Sequence, residues 1–370
     1  MARPRARDIG IIIGVLPPGS LNSITDIPGV KVGHVSLIEG KGKLVPGKGP
    51  IRTGVTAIVP HGGNMFTEKV CAAVYILNAT GKVVGFPQVA ELGNIETPIM
   101  LTNTLNVWTV ADALVDYISE QNPGVYSFNP VVGECNDRVL NDILGRHVKR
   151  EHVFQALQNA SETNTEEGNI GAGVGTRGFE WKAGIGTASR LLPKDLGDFT
   201  LGALVLTNTG RASDLRIDGI PIGKELTPNS YITQFPHEQD RSWNLGGSIM
   251  IILGTDAPLS NRQLTRLSRW TAYGLGHMGL PSAGGDFVIA FSTGNLISPS
   301  GKQSATPNEF VPESQLSSLF RATVETTEEA VINSLLKAET MVGRDETKLI
   351  GIPIEQVTTI IGKYRTNSGN

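Results

Sequence analysis

The sequence of 370 residues contains only two cysteines, Cys71 and Cys135. They lie far apart and do not have the spacing of metal ligands, so the pair does not indicate a metal site. Two free thiols are the favoured interpretation, and a single disulfide is the alternative.

The chain also lacks a long apolar segment and an excess of charge of either sign. The basic start, residues 1–20, has an apolar run that ends after three isoleucines, which is too short for a secretory core region or a membrane-spanning helix. The formal net charge of −3 gives no electrostatic reason to expect nucleic acid or a membrane surface as partner. We therefore expect a soluble, cytoplasmic protein.

A histidine-based nucleophile is poorly supported as well. The six histidines lie in no recognisable nucleophile motif, and no G-x-S-x-G elbow is present. A Ser-His-Asp triad is therefore not the favoured interpretation.

Glycine, by contrast, is abundant at 44 residues, without a period-three repeat and with 39% hydrophobic residues. This composition indicates many tight turns between strands rather than collagen or disorder. The length allows two domains or one large one, with enough core to hold a rigid site.

Segments rich in β-branched residues and interrupted by glycine predict strands. They are ITDIPGVKVGHVSL, IRTGVTAIVP, VCAAVYILNATGKVVGF, WKAGIGTASRLL, FTLGALVLTN, SIMIIL and FVIAFST. Helical spacing predicts helices from Thr104, over about 153–160, from a capping box at Ser260 and Gln263, and from near Thr326 to Gly343. No regular βαβ rhythm is present, so mostly antiparallel sheets covered by helices fit best. Residues 224–247 are polar and irregular and are expected to form an exposed connector.

One stretch, NLGGSIMIILGTDAPLS at 244–260, raises a functional question, because Gly246 and Gly247 precede a serine at the start of an apolar strand. The hydroxyl of Ser248 can attack the preceding carbonyl, and glycine permits the strained backbone that this attack requires. Hydrolysis of the resulting ester frees an α-amine with a pKa of roughly 7.7–8.0, suited to act as general base for the hydroxyl. The alternative is that Gly-Gly-Ser merely begins a strand, and the pattern alone does not decide between the two.

Five sequence blocks, taken in order, favour the self-cleaving serine over a serine that merely begins a strand. They are SLNSITDIPGVKVGHVSL, IRTGVTAIVP, ETPIMLTNTL, GNIGAGVGTRGFEWKAGIGTASR and GGSIMIILGTDAPLS. Together they resemble the self-processing L-aminopeptidase/D-esterase-amidase family, which includes the β-peptidyl aminopeptidases. The resemblance extends from about Arg5 to about Gly343.

The resemblance implies an α+β fold, a four-layer αββα sandwich like that of N-terminal-nucleophile hydrolases but with different connectivity. It implies one domain over 1–370, cut into an α chain of 1–247 and a β chain of 248–370. It also implies a homotetramer of processed protomers without metal or cofactor. The implied activity is release of N-terminal amino acids from small peptides, amides or esters, including D-alanine or β-amino acyl derivatives.

The resemblance also assigns roles to residues. Asn208 in GALVLTNTG matches the donor to the developing oxyanion; the alternative is a turn asparagine at a strand end. Glu134 in VVGECND matches the acid that binds the substrate's ammonium group, with Asn136 assisting; the alternative is a solvated surface glutamate. Asp286 matches an acid that polarises the nucleophile Ser248.

At two positions of the implied active site this chain differs from the family pattern. The family often has serine where this chain has Gly284 in AGGDFVIAFST, and Ser282 is a candidate substitute for that serine. Val139 stands where the family has a tyrosine.

Three alternatives stay open at this point. The segment GNIGAGVGTRG could bind phosphate or a nucleotide through Gly171, Gly173 and Gly175, although the G-x-G-x-x-G register fails at Thr176. A non-catalytic assembly protein could keep the fold, and an acyltransferase could use the same nucleophile.

Overall fold

The computed structural model describes residues 3–228, 247–279, 284–297 and 310–367. Its strands are β1 (Lys31–Glu39), β2 (Ile51–Val59), β3 (Lys69–Ala79), β4 (Asn94–Ile95), β5 (Ile99–Asn103), β6 (Val131–Cys135), β7 (Arg177–Gly178), β8 (Trp181–Lys182), β9 (Ile185–Leu191), β10 (Thr200–Asn208), β11 (Ser248–Thr255), β12 (Gly285–Ile297), β13 (Met341–Val342) and β14 (Lys348–Leu349). Its α-helices are α1 (Phe86–Leu92), α2 (Val107–Gln121), α3 (Arg150–Gln158), α4 (Ile222–Glu225), α5 (Asn261–Met278), α6 (Leu316–Leu336) and α7 (Ile354–Asn367).

Two sheets form the centre of the molecule. One has four strands in the order β1-β2-β5-β6, and the other has six in the order β4-β3-β12-β11-β10-β9. Within them, β5 pairs with β6 and β11 with β12 in parallel, and the other neighbours pair antiparallel. The prediction of mostly antiparallel sheets is therefore confirmed.

The sheets pack face to face and carry helices on their outer faces. Leu101 of β5 packs with Ile252 and Phe291 of the larger sheet in a buried cluster between the sheets. Helices α2 and α3 cover the outer face of the smaller sheet, and α5 and α6 cover that of the larger sheet. This arrangement is the αββα sandwich that the resemblance implied.

The strand that begins at Ser248 is an interior strand buried on both faces. Ile249 and Ile251 pack on the helix side, whereas Met250 and Ile252 pack between the sheets. A strand buried on both faces carries apolar residues at every position, which explains why the sequence shows an unbroken apolar run here. Ser248 therefore lies at the start of a strand that is held by neighbouring strands on both edges and by packing on both faces.

The predicted helix from Thr326 to Gly343 is wrong at both ends, because the helix is Leu316–Leu336 and Val342 belongs to β13. Most of this helix is buried between α5 and the larger sheet, so no polar face marks its limits. Thr326 lies in the helix interior, and its hydroxyl donates to the carbonyl of Ala322 at 2.8 Å rather than capping the helix.

Other local predictions hold more closely. The capping box at Ser260 is present, with Gln263 N–H donating to the serine oxygen and the glutamine oxygen accepting from Ser260 N–H. The helix predicted from Thr104 begins with a 3₁₀ turn and becomes α-helical at Val107. Most of the predicted connector, 229–246, lies outside the described residues.

Both cysteines are buried and free, as favoured from the sequence. None of the helices in the described ranges combines the length and apolarity that a membrane crossing requires.

Candidate active site

Ser248 is the first residue of β11, and two strand ends lie beside it. In the sheet register it pairs with Asn208, the last residue of β10, and with Gly285, the first residue of β12. Because side chains alternate along a strand, Ser248 shares the face of Met250, which is directed between the two sheets. Ser248 is only 5% exposed.

A cleft of about 190 Å³ opens in front of this serine. Five of the six residues assigned to the site from the sequence line it, namely Ser248, Gly247, Asn208, Glu134 and Asn136. The other lining residues are Thr80, Lys82, Thr104, Arg138, Val139, Arg177 and Gly284. Segments distant in sequence therefore meet at the nucleophile candidate.

The side-chain amide of Asn208 is directed at the serine hydroxyl. Its Nδ2 donates to Ser248 Oγ at 3.3 Å, and its Oδ1 accepts from the main-chain N–H of Arg177 at 3.2 Å. The second bond fixes which end of the amide meets the hydroxyl. A neutral donor held beside an attacking oxygen is suited to stabilise an oxyanion formed there.

Glu134 is buried at 3% exposure, so the alternative of a solvated surface glutamate is wrong. Its Oε1 accepts from Lys82 N–H at 3.0 Å, and its Oε2 accepts from the Thr104 hydroxyl. Burial raises the pKa of Glu134, and the bonds from Thr104 and Lys82 oppose that rise. The oriented carboxylate on the cleft wall is suited to bind an ammonium group.

Asn136 also lines the cleft, two residues beyond Glu134. Its Oδ1 accepts from Arg138 N–H at 3.0 Å, which shapes the turn after β6. Asn136 therefore lies on the same cleft wall as Glu134, and its assistance to Glu134 stays a prediction.

Asp286 lies beside the cleft rather than on its wall. It pairs in register with Ile249, the residue after Ser248, and its Oδ2 accepts from Asn78 Nδ2 at 2.5 Å. Burial raises the pKa of Asp286 to about 6, against the lowering effect of the bond from Asn78. Its role toward the nucleophile stays a prediction.

The glycine at 284 has a physical explanation in this chain. A Cβ built on Gly284 would lie 1.2 Å from the carbonyl oxygen of Gly247, so the uncut backbone occupies the space of a side chain. The other departure, Val139, lines the cleft. Gly246 and Ser282 lie outside the described residues.

Cys135 is a neighbour of the site that the sequence did not reveal. Its Sγ donates to the carbonyl of Leu206 at 3.3 Å, and it lies in hydrogen-bond contact with Ser248. Burial, reinforced by the charge of Glu134, raises the pKa of this thiol well above its usual value. A protonated thiol is a poor nucleophile, so Cys135 does not compete with the serine.

Glycines of the segment GNIGAGVGTRG are used for packing. The N–H of Gly171 donates to Ser36 Oγ at 2.8 Å, and the N–H of Gly173 donates to the carbonyl of Ile170 at 2.8 Å. A Cβ at Gly175 would lie 2.2 Å from the carbonyl oxygen of Arg52. Two of the N–H groups already donate hydrogen bonds within the protein, and protein atoms occupy the space beside the glycines. The structure therefore does not support a phosphate-binding loop here.

Comparison with known proteins places this geometry in a family. The model of "Peptidase family S58" matches residues 22–349. Beta-peptidyl aminopeptidase BapA of Sphingosinicella microcystinivorans is 41% identical, over 98% of this chain and 93% of that protein.

Solved structures give the same result. The PH0078 protein from Pyrococcus horikoshii OT3 is 49% identical with a TM-score of 0.89, over 98% of this chain and 99% of that chain. The L-aminopeptidase D-Ala-esterase/amidase from Ochrobactrum anthropi is 34% identical with a TM-score of 0.87, over 98% and 99% of the two chains. That protein is described as a prototype for the serine aminopeptidases and as a new variant among the Ntn hydrolase fold.

The fold class and the enzyme class inferred from the sequence are confirmed, because BapA and the Ochrobactrum structure match nearly the whole chain and are both named as aminopeptidases. This chain belongs to peptidase family S58, and it is a peptide hydrolase of the aminopeptidase type.

Proposed function

We propose that this protein is a serine aminopeptidase whose nucleophile, Ser248, becomes an N-terminal residue when the chain cuts its own Gly247–Ser248 bond. The observation that carries the proposal is the hydrogen bond from Asn208 to the Ser248 hydroxyl inside a cleft that also contains Glu134. A structural serine at a strand start does not require an oriented amide donor and a buried carboxylate around it.

Self-cleavage begins with attack of Ser248 Oγ on the carbonyl carbon of Gly247. The C–N bond breaks and the proton passes to the departing nitrogen, so that an ester replaces the amide. Water then hydrolyses the ester, which leaves a carboxylate on Gly247 and a free α-amine on Ser248. The products are chains 1–247 and 248–370.

Turnover uses the new amine as general base. It takes the proton of the Ser248 hydroxyl as Oγ attacks the substrate's scissile carbonyl, and Asn208 donates to the resulting oxyanion. The amine returns the proton to the leaving nitrogen, and water hydrolyses the acyl-enzyme. Asp286 pairs in register with the residue after Ser248 but does not line the cleft, so we assign it to polarising the nucleophile rather than to contact with substrate.

The substrates we propose are small peptides, amides or esters with a free amino end. The ammonium group binds Glu134, which selects exopeptidase over endopeptidase substrates. The relative at 41% identity is named for β-peptides, which favours β-amino acyl groups among the candidates. D-alanyl substrates are the second candidate, from the Ochrobactrum protein.

The test of the proposal is the state of the Gly247–Ser248 bond. Intact-mass analysis of the denatured protein should give two chains, and N-terminal sequencing of the smaller one should begin at Ser248. A chain that stays whole and leaves aminoacyl amides unhydrolysed would instead favour the non-catalytic alternative. Preferential transfer of the acyl group to added amines would favour the acyltransferase.

Replacing Glu134 by glutamine should raise KM about 10- to 100-fold with a smaller effect on kcat, because a charge-assisted bond to the ammonium group becomes a neutral one. The measurement is steady-state hydrolysis of an aminoacyl p-nitroanilide. An N-acetylated substrate serves as the matched control, since it has no ammonium group and its slow hydrolysis should be insensitive to the substitution. Equal losses on both substrates would show that Glu134 does not bind the amino end.

Replacing Gly284 by alanine should slow self-cleavage, by about 100-fold if the scissile carbonyl is displaced by about 1 Å. The added methyl would overlap the Gly247 carbonyl oxygen, which must be positioned for attack by Ser248. The fraction of cut chain is followed by intact mass over time. Gly276→Ala is the control, because a Cβ there meets open space; cutting of both variants at the wild-type rate would contradict this role of Gly284.

We further propose a cytoplasmic homotetramer of processed protomers without metal or cofactor. The two free thiols suit a reducing compartment. Large side chains such as Trp108 and Tyr126, which are 58% and 97% exposed, are candidates for burial between protomers.

A further inference from the structure

One buried lysine lies outside the cleft wall and takes part in no step of the proposed reaction. Lys182, in β8, is 0% exposed. Lysine is seldom enclosed by protein in this way unless its amine has partners. Its Nζ donates to the carbonyl of Gly173 at 3.0 Å and also to the carbonyl of Ala183. A side chain that binds two main-chain carbonyls is suited to hold a backbone segment in one conformation.

The two carbonyls lie at the two ends of residues 173–184, a segment that contains the β7–β8 hairpin and that we call the hairpin loop. Its ends are in direct contact, since a Cβ built on Gly173 would lie 2.8 Å from the Cα of Gly184. A second donor is present at this junction. The hydroxyl of Thr176 donates to the same two carbonyls, at 3.3 Å from each oxygen. Lys182 and Thr176 therefore close the hairpin loop from within.

The hairpin loop contacts the side chain of the proposed oxyanion donor. Arg177 lies in the loop, and its main-chain N–H donates to Asn208 Oδ1 at 3.2 Å. This bond directs Asn208 Nδ2 at Ser248 Oγ. Arg177 is also the register partner of Lys182 in the hairpin, so the lysine backbone is adjacent to the residue that orients the amide.

The hairpin loop also binds the main chain on both sides of Asn208. The N–H of Thr207 donates to the carbonyl of Gly184 at 3.0 Å, and the N–H of Phe179 donates to the carbonyl of Thr209 at 2.7 Å. The loop therefore encloses the end of β10, and a change in its conformation would move Asn208. A displacement of about 1 Å at a reacting group can lower a rate about 100-fold.

The bonds that Lys182 makes do not require a fixed protonation state. Burial lowers the pKa of Lys182 to about 7. An ammonium group has three N–H donors and a neutral amine has two, so each of the two carbonyls keeps a donor in either state. Removal of the amine would instead leave both buried carbonyls to the single hydroxyl of Thr176, and buried carbonyls that lack donors are costly.

We propose that Lys182 is a positioning residue for catalysis, which together with Thr176 closes the hairpin loop and thereby holds the Asn208 amide where the oxyanion forms. This assignment rests on the function proposed above, in which Asn208 donates to the oxyanion. It also gives the glycine-rich segment a role in catalysis, because the close contact of its glycines allows the loop to close.

Lys182→Met removes the amine and keeps an unbranched, flexible side chain that suits a buried position. The variant should lower kcat about 10- to 100-fold with little change in KM, because the Asn208 amide is displaced rather than lost. The measurement is single-turnover and steady-state hydrolysis of an aminoacyl amide by the fraction of protein that has been cut.

The double variant Lys182→Met/Asn208→Ala separates positioning from a general loss of structure. Its kcat should equal that of Asn208→Ala to within about twofold, because both changes remove the same interaction with the oxyanion. Losses in kcat that multiply would show that Lys182 does not act through Asn208 and would overturn the inference.

Thr187→Val is the matched control, since Thr187 is also 0% exposed and its hydroxyl donates to the carbonyl of Ala203 at 2.7 Å in the same sheet. It should leave kcat unchanged. If Lys182→Met does not fold, Thr176→Val removes the second donor at the junction with little change in shape and should lower kcat in the same way, by a smaller factor. A wild-type kcat in the folded junction variant, or an equal loss in the control, overturns the inference alone. A wild-type kcat in Asn208→Ala overturns the proposed role of Asn208 itself.

Discussion

Ser248→Ala should leave the protein as one chain of 370 residues and lower hydrolysis by a factor on the order of 10⁶. The methyl group cannot attack the Gly247 carbonyl, so neither the ester nor the free α-amine forms. Both the nucleophile and its general base are therefore lost through one substitution. Intact mass and steady-state hydrolysis of aminoacyl amides measure the two effects on the same sample.

The matched control is Ser292→Ala, since Ser292 is also buried in the larger sheet and its hydroxyl donates to the carbonyl of Ala257 at 2.5 Å. That variant loses a hydrogen bond worth about 1 kcal/mol of stability but should still be cut and active. If the Ser248 variant were cut at the same site, or turned over substrate at the wild-type rate, the assigned nucleophile would be wrong.

Asn208→Ala should lower kcat by about 10²–10³ with little change in KM, because the amide donates to charge that is present only in the transition state. The measurement is single-turnover kinetics on the fraction of protein that has been cut, so that slow maturation is not counted as slow chemistry. Circular dichroism at the temperature of the assay verifies that the sheet is intact.

Asn333→Ala separates loss of catalysis from loss of a buried amide. Asn333 lies in α6 and does not line the cleft; its side chain accepts from Ala6 N–H and donates to the carbonyl of Thr187 in β9. This control should lower the free energy of unfolding and leave kcat unchanged. If the Asn208 variant had an unchanged kcat and a similar loss of stability, Asn208 would contribute to stability and not to catalysis.

The larger sheet could be predicted from the sequence because its strands have a local signature. SIMIIL and GALVLTN are apolar at nearly every position, which is the pattern of strands buried on both faces. Helix α6 could not be delimited in the same way. It is enclosed by protein on both sides, so burial rather than amphipathic spacing sets its ends.

The site was predictable to the extent that it lies in quoted motifs. Ser248 occurs in a block that carries the resemblance and Glu134 in a motif matched to the family, whereas Lys82 and Arg177 were given no role and reach the cleft only because distant segments meet there. The contact between Asn208 and Ser248 depends on the register of β10 against β11, in which the two residues are partners. No local pattern in either strand encodes that register; it follows from packing of the whole sheet.

The strand order of the larger sheet affects how the mature, cut enzyme unfolds and refolds. Strands β11 and β12, which follow the proposed cut, lie between β3 and β10, which precede it. After the cut, the two chains of an unfolded molecule are no longer linked and must associate before they can fold. Refolding is then second order in concentration and competes with aggregation. The lifetime of the mature enzyme should then be governed by its unfolding rate rather than by an equilibrium, and a denatured sample of the uncut Ser248→Ala chain should regain structure far more readily than the processed protein.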